Sequence, residues 1–179
     1  MQALASAQAR SRIGANDAET AVARQYLTFA LGPENYAAPI EAIREIIEVP
    51  GLTAVPMMPA FLRGVINLRG AVVPVIDLAS RFEFGETQIA RRTCVVVIEV
   101  GRGQSEAAQI LGVLVDAVHE VIEIRSDSVE PAPALGTRIH PDFISAMAKV
   151  GRRLMVVLNL DRVLAQDELV RLISAQGAR

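Results

Sequence analysis

The chain has no tryptophan, only two tyrosines and five phenylalanines among 179 residues. That scarcity disfavours a single-strand nucleic-acid platform, which stacks bases on aromatic rings. Charge of one sign is missing too. The formal net charge is −2 at pH 7, without the basic excess that neutralises phosphates in a general nucleic-acid binder. A single cysteine, Cys94, rules out an internal disulfide and makes a reducing cytoplasm the simplest expectation. No apolar run approaches the roughly 18 residues that would suggest a membrane span. The first 23 residues contain small and polar side chains but no continuous apolar segment, so a mobile tail is expected there rather than a secretory signal.

Catalytic groupings are equally scarce. His119 and His140 are far apart in sequence, and no His or Cys pair has metal-ligand spacing. Cys94 opens an apolar run and reads as a small core residue. "GRG" at 101–103 is not followed by the elements of a phosphate loop and reads as a hairpin turn. No carboxylate pair stands out for acid/base work. The expectation is a protein without enzymatic activity, metal or cofactor, working through its surfaces.

What is present is a large apolar fraction, 51%, enough for a real core. Regular structure is expected from "RQYLTFALG" onward, where residues alternate as in a strand. "PIEAIREIIEVP" fits either two turns of helix or a turn followed by the strand "REIIEV". "TCVVVIEV" is a near-continuous β-branched strand. "AQILGVLVDAVHEVIEI" reads as one or two strands and "LMVVLNL" as another. "DELVRLISA" reads as a closing helix capped by Asp167.

An internal repeat organises these pieces. "FALG" (29–32) aligns with "IEVG" (98–101), and "AIREIIEV" (42–49) with "AVHEVIEI" (117–124). "MPAF" (58–61) aligns with "HPDF" (140–143), and "VPVIDL" (73–78) with "MVVLNL" (155–160). The order is the same in both halves. The expected fold is therefore mainly β: two copies of a five-strand unit, each forming a small barrel. The copies are expected over about 25–83 and 93–160, with a helix over about 161–175. Strands apolar on both faces would fill a barrel on one side and meet the sister barrel on the other.

The stretch "VPMMPAFLRGVINLRGAVVPVIDLASRF" (55–82), together with "ILGVLVDAVHEVIEI", resembles the CheW-like domain of bacterial chemotaxis. The combined pattern Pro-x-Phe-x-x-Gly-Val-x-Asn-Leu-Arg-Gly is far more specific than any single glycine motif, and the resemblance covers about 24–175. It implies two pseudo-symmetric Src-homology-3-like barrels and resolves "REIIEV" as strand. It implies an adaptor linking the cytoplasmic tip of a methyl-accepting chemoreceptor to the regulatory domain of the histidine kinase CheA, with further copies in rings. The tip, a helical hairpin, would dock in a groove between the barrels. The resemblance makes Glu45 and Arg69 the receptor-facing polar pair, with Ile43, Gly64 and Asn67 on the same surface. It places Glu130, Pro131, Pro133 and Leu135 against the kinase in ring assembly. The family's common members carry a basic residue where Glu130 stands and an aromatic where Leu135 stands. Ala117, Ala146 and Ala148 replace common glycines.

The second half has "GRRLMVVLNL" where the first has the Asn-Leu-Arg-Gly turn and Pro74. The repeat can evidently be built without Arg69, which marks it as a residue presented for binding. Pro74 is expected at a strand edge or bulge.

Overall fold

A computed structural model describes residues 21–101, 108–132 and 138–164. The first 20 residues, most of the expected closing helix, Pro133 and Leu135 lie outside the described residues.

The first half consists of strands β1 (Ala23–Leu31), β2 (Glu34–Pro39), β3 (Ile43–Glu48), β4 (Leu62–Leu68) and β5 (Ala71–Asp77), ending in the one-turn helix α1 (Leu78–Arg81). The second half has β6 (Cys94–Val100), β7 (Gln109–Val115), β8 (Ala117–Arg125), the two-residue β9 (Val129–Glu130), β10 (Ile144–Val150) and β11 (Arg153–Leu158). It closes with α2 (Leu160–Val163). "PIEAIREIIEVP" resolves into a 3-10 turn at Ile40–Ala42 followed by strand β3.

The repeat is visible in the sheets. One has the order β8-β1-β2-β11-β10-β9, the other β3-β6-β7-β5-β4. Exchanging each strand of the second sheet for its repeat partner reproduces the first, apart from the short β9. Details follow the same rule. Asp77 N–H donates to Phe61 O at 2.7 Å, and Asn159 N–H donates to Phe143 O at 2.8 Å. In the parallel pairings Val75 faces Gly112 and Val157 faces Ala37, two small residues in matching slots. The chain thus has the expected all-β, pseudo-symmetric double-barrel fold.

One expectation is corrected. The halves 25–83 and 93–160 do not form a barrel each. Every large sheet takes β1 and β2, or their counterparts β6 and β7, from one half and the remaining strands from the other. The connections explain this. A single residue, Asp116, separates β7 from β8, whereas a tight hairpin needs two. The chain therefore cannot turn back beside β7 and crosses to the other sheet. Asp116 holds the crossing: its N–H donates to Ala30 O at 3.1 Å, and its carboxylate accepts from Gly32 N–H at 2.5 Å.

The two-sided strands divide their faces between cores. Val96 and Ile98 of β6 join the large central core with Leu27, Phe29, Ile76, Leu111 and Leu158. Val95 and Val97, one residue out of phase, join Ile66, Val73, Val75 and Leu114 within the second sheet. The first sheet encloses the corresponding smaller core of Ala37, Ile124, Ala148 and Val157. Ala148 is fully buried there.

Pro74 is also corrected in part. Its strand is flanked by β4 and β7 and is not an edge. Its cross-strand partner Val65 spends its N–H and C=O on Thr53, at 2.9 and 3.0 Å. The missing proline N–H therefore breaks no rung to β4.

Among the described residues the buried charge is Asp77, 0% exposed at the end of β5. It accepts from Arg63 Nη1 at 2.8 Å, from Thr87 N–H at 2.8 Å and Thr87 Oγ1 at 2.7 Å, and caps α1 through Ser80 N–H at 3.3 Å. Its repeat partner Asn159 caps α2 through Arg162 N–H. Ser145 stands where Arg63 would be, so no anion is needed there.

Candidate adaptor site

Strands β4 and β5 pair until Leu68 faces Ala71, leaving Arg69 and Gly70 as a two-residue loop. Both have positive φ, 53° and 87°. That is the type I′ hairpin turn, whose first position favours Asn, Asp or Gly. Arginine there is an unusual choice, held in place by neighbours. Asn67 Oδ1 accepts from Gly70 N–H at 2.8 Å and braces the loop. The Arg69 guanidinium donates to Glu45 Oε2 at 2.6 Å. This hydrogen bond, then the carboxylate's charge, holds the Arg69 pKa above its usual value.

Glu45 comes from β3, beside a bulge that shifts the register between Ile43 and Glu45 against β6. The bulge puts Arg44 onto Glu99 instead, at 2.8 Å through Nε. Arg69 remains 73% exposed and Glu45 27%. An exposed ion pair of this kind contributes little to folding. The pair therefore presents charge at the surface without being needed to build the hairpin.

The structure thus brings Glu45, Asn67 and Arg69 together. Ile43 lies two residues from Glu45, half-buried against the central core. Gly64 is a correction: it is buried and not part of the exposed surface. Its φ is +152°, and a Cβ would meet Thr53 O at 2.6 Å. It is glycine because residues 53–54 cross over it. Gly64→Ala should lower stability by about 1–3 kcal/mol, seen as a lower melting temperature, with any binding loss secondary to the fold.

Sequence reasoning missed Ile46 and Val72, which are 43% and 71% exposed. Ile46 follows Glu45, and Val72 stands opposite Asn67. Runs of β-branched residues carry no parity signal, so nothing in β3 or β5 marked these two as outward. The repeat could have flagged them only with exposure known: their counterparts Val121 and Leu154 are also exposed, at 48% and 59%.

A cleft of about 320 Å³ is lined from both sheets, by Pro39, Ser145 and Leu158 of one and Glu99 of the other, with Ala42 between them. Of the other expected contacts, Glu130 and Pro131 are described. Glu130 sits on β9 and pairs with Lys149 at 3.1 Å, and Pro131 is exposed. Among the described residues no group of three or more His, Cys, Asp or Glu could hold a metal, and no helix is long and apolar enough to cross a membrane. His119 is exposed and meets Asn35 Oδ1 at 3.1 Å. His140 accepts from Asp142 N–H at the start of a 3-10 turn.

The CheW-like domain pattern matches residues 25–168 of this chain. The chain belongs to the CheW family. It is 28% identical to the chemotaxis protein CheW of Klebsiella aerogenes over 83% of this chain and 86% of that protein. It is 30% identical to a probable chemotaxis protein CheW of Rhizobium etli, over 81% and 90%. The crystal structure of the scaffolding protein TtCheW from Thermoanaerobacter tengcongensis superposes with a TM-score of 0.68 at 34% identity, covering 78% of this chain and 86% of that one. The family is one of chemotaxis scaffolds.

Proposed function

We propose that the chain is a non-enzymatic adaptor that couples methyl-accepting chemoreceptors to the histidine kinase CheA, recruited from the cytoplasm to membrane receptor arrays. Glu45, Asn67 and Arg69 meet the receptor tip, with Ile43 supporting β3 behind them. Glu130, Pro131, Pro133 and Leu135 meet the kinase regulatory domain or further copies in a ring. The observation that carries this reading is an exposed arginine kept in a backbone conformation it does not favour, at a turn the sister hairpin makes with Gly151 instead. Arginine anchors are enriched among binding hot spots. A helical hairpin against the seam would bury apolar side chains and leave the polar pair at the rim.

Co-sedimentation of the protein with receptor-containing membranes and CheA tests it: all three should pellet together, and failure of the chain to pellet with either would reject the reading. Arg69→Asn gives a finer test. Asparagine suits the turn, so the melting temperature should stay level or rise, while receptor binding should fall.

A second reading keeps the fold but assigns the chain to a chemosensory pathway without a flagellar output. The chain's likeness is not confined to proteins named for chemotaxis: it is 27% identical to protein FrzA of Myxococcus xanthus over 79% of this chain. Pull-down of the kinase from the native organism separates the two by the kinase recovered.

A further inference from the structure

The mixed sheets have a consequence for self-association. Pairings β1·β8, β2·β11, β3·β6 and β5·β7 all join the first half to the second. One connection, between α1 and β6, links the halves in sequence. Its start is pinned, because Thr87 is held on Asp77 and Arg63 within the first half. Its end is a turn in which Thr93 N–H donates to Ala90 O at 3.2 Å and Ala90 N–H to Thr93 Oγ1 at 2.8 Å. Between them Gln88, Ile89, Ala90, Arg91 and Arg92 are all exposed, and Ile89 is 51% so.

We propose that two copies of this chain exchange halves across the hinge Gln88–Arg92, giving a dimer in which each copy's first half is completed by the other's second half. No new interface is required, since the four pairings that join the halves in the closed chain are reused between copies and the pairings within each half are kept. Opening the Ala90–Thr93 turn loses these two hydrogen bonds and the longer one from Thr93 Oγ1 to Gln88 O at 3.5 Å, at a turn whose residues are exposed up to the buried Thr93. The balance then depends on concentration. A short connection holds the halves at an effective concentration on the order of millimolar. The closed form therefore dominates at micromolar protein, and exchange becomes competitive where copies are crowded to the millimolar range. Glu45 and Arg69 both belong to the first half, so exchange preserves their pairing and places two such pairs on one particle.

The native Cys94 supplies the readout. It lies directly opposite Glu48 across β3 and β6, within reach of a disulfide in an antiparallel pair. In Glu48→Cys the bond forms within one chain in the closed form and between two chains in the exchanged form. The full-length variant is unfolded, refolded at about 10 µM and at about 1 mM, oxidised, and run on a non-reducing gel. Mostly monomer at the lower concentration and a several-fold larger disulfide-linked dimer fraction at the higher is the expected result. Intrachain bonds alone at both concentrations would overturn the proposal. Removing Ala90–Arg92 from the same variant shortens the hinge and should move the folded protein from mostly monomer to mostly dimer even at 10 µM. A folded, disulfide-bonded monomer from that deletion would also overturn it. The refolding experiment decides the question independently of whether the deletion folds.

Discussion

Asp77→Ala lowers stability by about 3–5 kcal/mol, the cost of leaving a buried cation without its partner. In a chain of this size that corresponds to a melting temperature lower by on the order of 10 °C. Arg63 is only 16% exposed and would lose the carboxylate it faces at 2.8 Å. Glu86 is a poor replacement, at 3.3 Å and 64% exposed. Thr87 N–H and Oγ1 would be stranded as well, in a residue 4% exposed. Asp77→Asn should cost less. It retains the acceptor for Ser80 and Thr87 but turns an amide N–H₂ toward Arg63 or Thr87. The reciprocal change, Asn159→Asp, places a carboxylate where Ser145 stands in the slot of Arg63 and should gain nothing. Thermal or urea melts of the three variants check the order. An Asp77→Ala melt within about 1 kcal/mol of the wild type would mean that the network around Arg63 is not what pins the connection between the halves.

Arg69→Asp has the opposite profile. The side chain is on the surface and its backbone position tolerates aspartate, so the melt should hardly move. Binding should suffer doubly. The guanidinium is lost, and a second carboxylate is set beside Glu45, reversing the local potential that a partner meets. We expect receptor affinity to drop about tenfold or more, the scale of an arginine hot spot. Glu45→Lys should act the same way from the other strand. Affinities measured by titrating the adaptor onto receptor membranes at fixed kinase check both. Part of the loss should shrink with rising salt, since exposed charge pairs are screened beyond about 8–10 Å at ordinary ionic strength.

Much of this was legible in the sequence, and the rest fails for identifiable reasons. The repeat segments predicted the pseudo-symmetry, and the structure extends it to paired bulges: β3 and β8 shift register at matching positions, as do β4 and β10. The same segments misled about which strands share a sheet. Two near-equivalent copies offer each strand two near-equivalent neighbours, and only the single-residue connection at Asp116 selects the crossed arrangement. At the site, the turn chemistry of Asn67–Gly70 and the proximity of Glu45 follow from the motif. The burial of Gly64 could not be read because a glycine open to a partner and one needed for a close backbone crossing are written with the same letter; the 2.6 Å approach to Thr53 O shows the crossing. The Asp77 network went unnoticed because its members, Arg63, Asp77 and Thr87, are dispersed and each reads as an ordinary surface residue until the fold buries the carboxylate.

The central claim, that Glu45 and Arg69 are displayed for a partner, is tested most directly by exchanging them. The double variant Glu45→Arg/Arg69→Glu preserves an ion pair between β3 and the turn, so a purely internal role would be restored. Its melt should match the wild type, and it should still fail to co-sediment with receptor and kinase. Wild-type assembly by the exchanged pair would contradict the account.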